Sequence, residues 1–178
     1  MKLIAIRHTS VEVEPAICYG QSDVGLAPSF QKEREEVALR LKGFRFDKIY
    51  SSPLLRCKLL AEYLFDRESI VFDDRLKELD FGEWELKSWN AIYNDPLGKV
   101  WMDNYQNLPT LNGESYPQMA ERVSAFLNEV KLEENNTVAI VAHAGVIRIL
   151  KSIIKKCSIE DLFNTFKPKY GSVIEFEI

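Results

Sequence analysis

Histidine is scarce in this chain, and its cysteines form no pattern. Two histidines and three cysteines occur in 178 residues. Cys18, Cys57 and Cys157 are odd in number, widely spaced and without a CxxC pair, which excludes a disulfide framework and a zinc knuckle. No apolar run approaches the ~18 residues a bilayer span requires. The opening run Leu3-Ile4-Ala5-Ile6 is cut by Arg7, too early for a signal-peptide core. Positive charge is not in excess: 23 Lys and Arg stand against 27 Asp and Glu, a net charge of −4. That balance argues against a nucleic-acid-binding surface. Repeats, low-complexity tracts and Pro/Gly/Ser-rich linkers are also missing. A reduced, soluble, cytoplasmic chain is expected, folded as one domain over 1–178, with neither membrane nor nucleic acid as partner.

Hydrophobic residues make up 46% and charged residues 28%, enough apolar material for a packed core. Leu3–Ile6 reads as a strand, followed by a polar loop from Thr9 to about Pro28. Apolar positions at Phe30, Val37, Leu41 and Phe44 predict a helix over 30–44, stopping near Gly43. Asp47–Ser51 is a second strand. Ser52-Pro53 predicts a helix start, with Ser52 as N-cap and Pro53 at the first helical position. Ile70–Phe72 is a third strand. Between 83 and 111 the periodicity fades, which predicts an irregular or short-helical excursion. Ser115 and Gln118 fit a capping box opening a helix that buries Met119, Val123, Phe126, Leu127 and Val130. Thr137–Ala142 reads as a buried strand running through His143-Ala144-Gly145 into another apolar helix. Ser172–Ile178 alternates, as a strand with one wet face does. Strands alternating with helices predict an α/β three-layer sandwich, with helices on both faces of a mostly parallel sheet, the last strand antiparallel at an edge, and 83–111 as a small cap.

Both histidines stand where a predicted central strand ends, the edge at which open α/β sheets bind ligands. A single histidine there is most simply a polar strand terminus bonded to a loop. Zinc is a weaker alternative, since no HxxxH or acidic ligand cluster accompanies the pair. Cations do accompany them. Arg7 adjoins His8, and Arg56 lies in the first turn of the helix after Pro53, where free N–H groups favour an anion. Alone Arg56 would be a solvent-facing helix arginine; beside Arg7-His8 it becomes a candidate for gripping phosphate, whose oxygens a guanidinium matches bidentately.

Arg7-His8-Thr9, Ser51-Ser52-Pro53-Leu54-Leu55-Arg56, Leu76-Lys77-Glu78, Gly113-Glu114-Ser115 and Ala142-His143-Ala144-Gly145 occur in this order along the chain. Together they resemble the motifs of the histidine phosphatase, or phosphoglycerate mutase-like, superfamily. Within it, Thr9 after Arg7-His8, the segment Cys18-Tyr19-Gly20-Gln21-Ser22-Asp23, and Ala144-Gly145-Val146-Ile147-Arg148 look most like the α-ribazole phosphatases of cobalamin biosynthesis. The usual superfamily motif has glycine where Thr9 stands, so its broader substrate rules transfer poorly.

The resemblance implies His8 as nucleophile, Arg7, Arg56 and His143 as phosphate ligands, and Glu78 as proton donor and acceptor, without metal or cofactor. Phosphoryl transfer needs positioning and charge neutralisation, which two arginines and a histidine could supply. A neutral imidazole is nucleophilic, and a phosphohistidine splits one displacement into two. Glu78, flanked by Leu76 and Leu79, would be partly desolvated; Asp80, Glu83 and Glu85 are the competing acids, with Glu83 and Glu85 otherwise exposed loop acids. Glu114 either orients an arginine of the site or interacts with the helix start beside Ser115. Gln21, Ala144 and Trp84 are further candidates to touch substrate or support its ligands. Trp84, Trp89 and Trp101 fall in the excursion, as ordinary packing of the cap or as a flat wall for a heterocycle. Cys57 reads as a small buried side chain, and Cys18, in the active-site loop by analogy, as potentially exposed. The leading expectation is a phosphomonoesterase for a small molecule, α-ribazole 5′-phosphate or its cobalamin-linked counterpart. A broad-range phosphatase, a mutase, whose larger cap the short excursion disfavours, and a non-catalytic phosphate-binding or interaction module are the alternatives.

Overall fold

A computed structural model describes residues 1–134 and 136–178. In chain order it contains β1 (Lys2–Arg7), α1 (Phe30–Arg40), β2 (Lys48–Ser51), α2 (Leu55–Leu64), β3 (Ile70–Phe72), α3 (Trp89–Asn94), α4 (Pro96–Asp103), α5 (Tyr116–Leu132), β4 (Thr137–Ala142), α6 (Ala144–Lys155), α7 (Ile159–Thr165) and β5 (Val173–Glu177). The strands form one sheet in the order β3-β2-β4-β1-β5. Four run parallel, and β5 pairs antiparallel with β1 at the edge. The predicted α/β class and the orientation of the last strand are as observed.

Side-chain alternation along the strands divides the core in two. Ile4, Ile6, Ala139 and Val141 face Val37 of α1 and Cys57, Leu60 and Ala61 of α2. Leu3, Ala5, Val138 and Ile140 face α5 and α6 on the opposite side. The five α5 residues expected inside are the ones buried, and the Ser115–Gln118 capping box is present. Burial of each large apolar side chain is worth about 1.5–3 kcal/mol, against about 1 kcal/mol for a cap. Packing therefore dominates the stability of α5, and the cap decides where it begins.

Two predicted boundaries move. The helix expected over 30–44 ends at Arg40, because the chain turns through Leu41–Gly43, with Gly43 at φ +96°. Neither Ser52 nor Pro53 starts α2, which begins at Leu55 with Leu54 at its N-cap position. Here Asp23 reaches over from the first loop, and its Oδ1 accepts the Leu55 N–H at 2.8 Å. The Ser52 hydroxyl is 3.4 Å from the Leu54 N–H and lies closer to His143.

The 83–111 excursion contains α3 and α4, capped by Ser88 and Asp95. Trp84 and Trp101 are 2% and 7% exposed and pack with Phe81, Ile92 and Leu79 into the same core that α5 and α6 build.

Candidate active site

Strand register assembles the site. Arg7 of β1 is paired with Ala142 of β4, so the next residues, His8 and His143, emerge side by side. The His8 N–H donates to the Ala142 carbonyl at 3.0 Å, and the two imidazole centroids are 5.1 Å apart. On the other flank of β4, the Ser52 N–H donates to the Val141 carbonyl, which sets the Ser52 hydroxyl 2.8 Å from His143 Nε2. Arg56, in the first turn of α2, is turned inward to the same point and is 1% exposed.

The protonation of His8 follows from its partner. Its Nδ1 lies 2.8 Å from the Thr9 carbonyl, which can only accept, so Nδ1 carries the proton and Nε2 keeps a bare lone pair. Burial, aided by the charges of Arg56 and Arg7, holds the His8 pKa well below the usual histidine value. The ring is therefore neutral at pH 7. His143 is held down by burial, Arg56 and His8. It is fully buried, with Cys57 Sγ 3.4 Å from its Nε2, and unlike His8 it does not line the cleft. Burial pushes the Cys57 thiol up to about 12, so Cys57 is an inert neighbour. Cys18 is also fully buried, which corrects the expectation of an exposed thiol.

Neither Arg7 nor Arg56 has a carboxylate within ion-pairing distance among the described residues. Arg7 donates to the Pro168 carbonyl at 2.6 Å, and Arg56 to the carbonyls of Gly20 and Ser22. The Nε atoms of both are buried without a partner. Arg56, 1% exposed, thus carries a buried charge without a counter-charge, which costs several kcal/mol and which an anion beside it would offset. No group of three or more His, Cys, Asp or Glu side chains among the described residues could hold a metal ion.

Glu78 also lines the cleft. Its Oε2 accepts the Gly145 N–H at 3.0 Å, in the first turn of α6. A Cβ at Gly145 would fall on Glu78 Oε1, so the carboxylate could keep this position only beside glycine. Ala144, just before it, is the first residue of α6 and positions that turn. Arg122 fixes the segment that carries Glu78, donating to the carbonyls of Arg75 (2.7 Å), Lys77 (2.7 Å) and Glu78 (3.0 Å). Glu114 orients Arg122 through bonds of 2.6 and 2.8 Å. The expected orienting glutamate is thus placed on an arginine that sequence reasoning missed. Arg122 does carry a signal: it lies three residues after Met119 and four before Phe126, on the buried stripe of α5. Gln21 donates from its side chain to the Glu78 carbonyl at 3.1 Å, supporting the segment rather than lining the cleft.

The competing acids are occupied elsewhere. Asp80 accepts the Gly82 N–H at 2.8 Å, and Glu83 accepts from the Asn112 side chain. Glu85 is no exposed loop acid: its carboxylate receives the N–H groups of Gly20, Gln21, Ser22 and Phe81. Burial works to raise its pKa, but these donors outweigh burial and hold it below the usual range. Glu85 thereby fixes the loop whose carbonyls hold Arg56.

The cleft has a volume of about 250 Å³; its walls carry Arg7, His8, Arg56 and Glu78, along with Phe81, Trp89, Tyr116 and Arg148. Trp84 does not line it, because its indole is spent on the core; Trp89 is the tryptophan that does. Arg148 donates to the Phe166 carbonyl, and its Cζ stands 4.9 Å from the Phe163 ring centroid.

Residues 3–178 match the family profile described as the histidine phosphatase superfamily, branch 1. Phosphoserine phosphatase 1 of Hydrogenobacter thermophilus is 30% identical over 157 residues, covering 84% of this chain and 74% of that protein. The adenosylcobalamin/α-ribazole phosphatase of Escherichia coli is 24% identical, over 84% of this chain and 77% of its own length. The crystal structure of an α-ribazole phosphatase from Shigella flexneri superposes with a TM-score of 0.91 at 21% identity, covering 100% of this chain and 91% of that one.

Proposed function

Because the chain belongs to the histidine phosphatase superfamily, we propose that it hydrolyses small phosphomonoesters through a phosphohistidine at His8. One observation carries this reading: His8, whose Nε2 is unprotonated, lines a cleft together with the buried Arg56 and the partly buried Arg7, and neither arginine has a carboxylate partner among the described residues. The phosphoryl group sits between Arg7 and Arg56, with His143 beside His8. Nε2 attacks phosphorus, the ester P–O bond breaks, and the departing alkoxide takes the proton of the Glu78 carboxylic acid. Water then gives a proton to the Glu78 carboxylate and attacks phosphorus as the P–N bond breaks. Phosphate leaves, and His8 is again neutral. Alkali quenching after mixing with a labelled phosphomonoester should trap label on His8, and His8→Ala should lose both label and turnover. Full turnover in that variant would sink the proposal.

For substrate we favour α-ribazole 5′-phosphate or its cobalamin-linked counterpart. The motifs around Thr9, Cys18–Asp23 and Ala144–Arg148 support this, as do the rings of Phe81, Trp89 and Tyr116 on the cleft wall. Stacking of a benzimidazole there would contribute about 1–3 kcal/mol, or about 5–150-fold in kcat/KM over ribose 5-phosphate. Trp89→Ala should narrow that gap. A second reading rests on Arg148, half-buried in the cleft and outside every ion pair of the described residues, which suits a phosphomonoester bearing a carboxylate. A higher kcat/KM for phosphoserine or 3-phosphoglycerate than for α-ribazole 5′-phosphate decides for the second reading.

A further inference from the structure

Two tyrosines from distant parts of the chain meet beside the arginines of the proposed phosphate seat. Tyr19, in the first loop, and Tyr170, in the loop before β5, share a hydrogen bond between their hydroxyls at 2.8 Å. Each ring accompanies one guanidinium. The Arg7 Cζ is 3.9 Å from the Tyr170 ring centroid, and the Arg56 Cζ is 5.3 Å from that of Tyr19. Each tyrosine also belongs to the loop whose carbonyl holds that same arginine, Pro168 for Arg7 and Gly20 for Arg56. The Tyr170 loop is tied to the nucleophile too: the Gly171 N–H donates to the His8 carbonyl at 3.1 Å, and the two rings are 5.5 Å apart.

We propose that the Tyr19–Tyr170 bond is a latch that fixes the spacing of Arg7 and Arg56, making both tyrosines positioning residues of the phosphate seat. Elsewhere the two loops are fastened separately, the first by Glu85 and the second by the start of β5 and by His8. The hydroxyl pair joins one directly to the other at the seat. Neutral phenols suit this task, since they bond each other without adding negative charge where a dianion must bind. Burial and the bond to Tyr170 raise the Tyr19 pKa, so its hydroxyl stays protonated. This inference rests on the proposed phosphate seat, and its test reads phosphate binding apart from turnover.

Tyr19→Phe and Tyr170→Phe each remove one hydroxyl and keep both rings. Affinity for inorganic phosphate is measured by calorimetry on the two variants and on the double variant, alongside KM and kcat. Loss of one hydrogen bond should weaken phosphate binding about 2- to 10-fold, raise KM alike and change kcat less. The double variant should be no weaker than either single one, because the second hydroxyl has nothing left to hold. Affinities within about 1.5-fold of wild type, well under one hydrogen bond, would overturn the latch. So would losses that multiply in the double variant. Failure to trap label on His8 in the wild type strikes the phosphohistidine reading instead, and leaves the latch to be judged on phosphate affinity.

Discussion

At the scale of single residues, the site depends on which atoms have partners. Arg56 spends donors on two carbonyls and still keeps a buried, unpartnered Nε. A lysine in its place has a single ammonium to divide between the Gly20–Ser22 loop and phosphate. Arg56→Lys should therefore cost about 1.5–3 kcal/mol, the worth of a charged hydrogen bond, read as a roughly 10- to 150-fold loss in kcat/KM. A loss within about twofold would show that the fork is not used. Gly145 makes a different test, because its missing Cβ is the space that Glu78 Oε1 occupies. Gly145→Ala should displace the carboxylate and slow alkyl phosphates about 10²-fold or more, the lower range of general acid assistance. A p-nitrophenyl ester, whose leaving group hardly needs a proton, should suffer much less. Equal losses on both would point away from Glu78 as donor.

At the scale of elements, α5 joins the core to the chemistry. Its apolar stripe packs on the sheet, and Arg122 on the same stripe fixes three carbonyls of the segment ending at Glu78. Arg122→Met keeps the bulk but leaves Glu114 and those carbonyls without their donor. That should destabilise the protein by about 1–3 kcal/mol. The melting temperature should fall by roughly 2–4 °C per kcal/mol for a chain of this size, and kcat should drop more for alkyl than for aryl phosphates. Unchanged melting with unchanged leaving-group dependence would remove Arg122 from the account.

At the scale of the whole molecule, keeping two buried histidines neutral appears as pH-dependent stability. His8 and His143 have folded pKa values depressed well below those of an unfolded histidine, His8 by burial and then Arg56 and Arg7, and His143 by burial and then Arg56. Below about pH 6.5 the unfolded chain binds protons that the folded one refuses. Stability is thus fully present above that value and falls as the pH drops, by up to about 1.4 kcal/mol per pH unit for each histidine. Urea unfolding at pH 7.5, 6 and 5 measures the slope, and His143→Gln should lower it by about one proton's worth. A flat profile would mean that the rings are not held neutral. Carboxylates with depressed pKa values, such as Glu85, lose their contribution only at lower pH.

The sequence by itself determined the alternation of strands and helices, the capped α5 helix with its buried residues, and the placing of both histidines at strand ends. These depend on local periodicity and on turn and cap chemistry, which act over a few residues. Its resemblance to the histidine phosphatase motifs also marked Arg7, Arg56 and Glu78 as groups for one site. Only the tertiary structure decided which partners those groups have. The β1–β4 register sets the imidazoles 5.1 Å apart. A loop carboxylate, Asp23, rather than the local Ser52 side chain, meets the first turn of α2. Glu85 becomes a buried holder of N–H groups, and Trp84 goes to the core while Trp89 faces the cleft. The reason is the same in each case: hydrogen bonds and burial between segments tens of residues apart depend on how loops cross the sheet edge. No short-range pattern records that path.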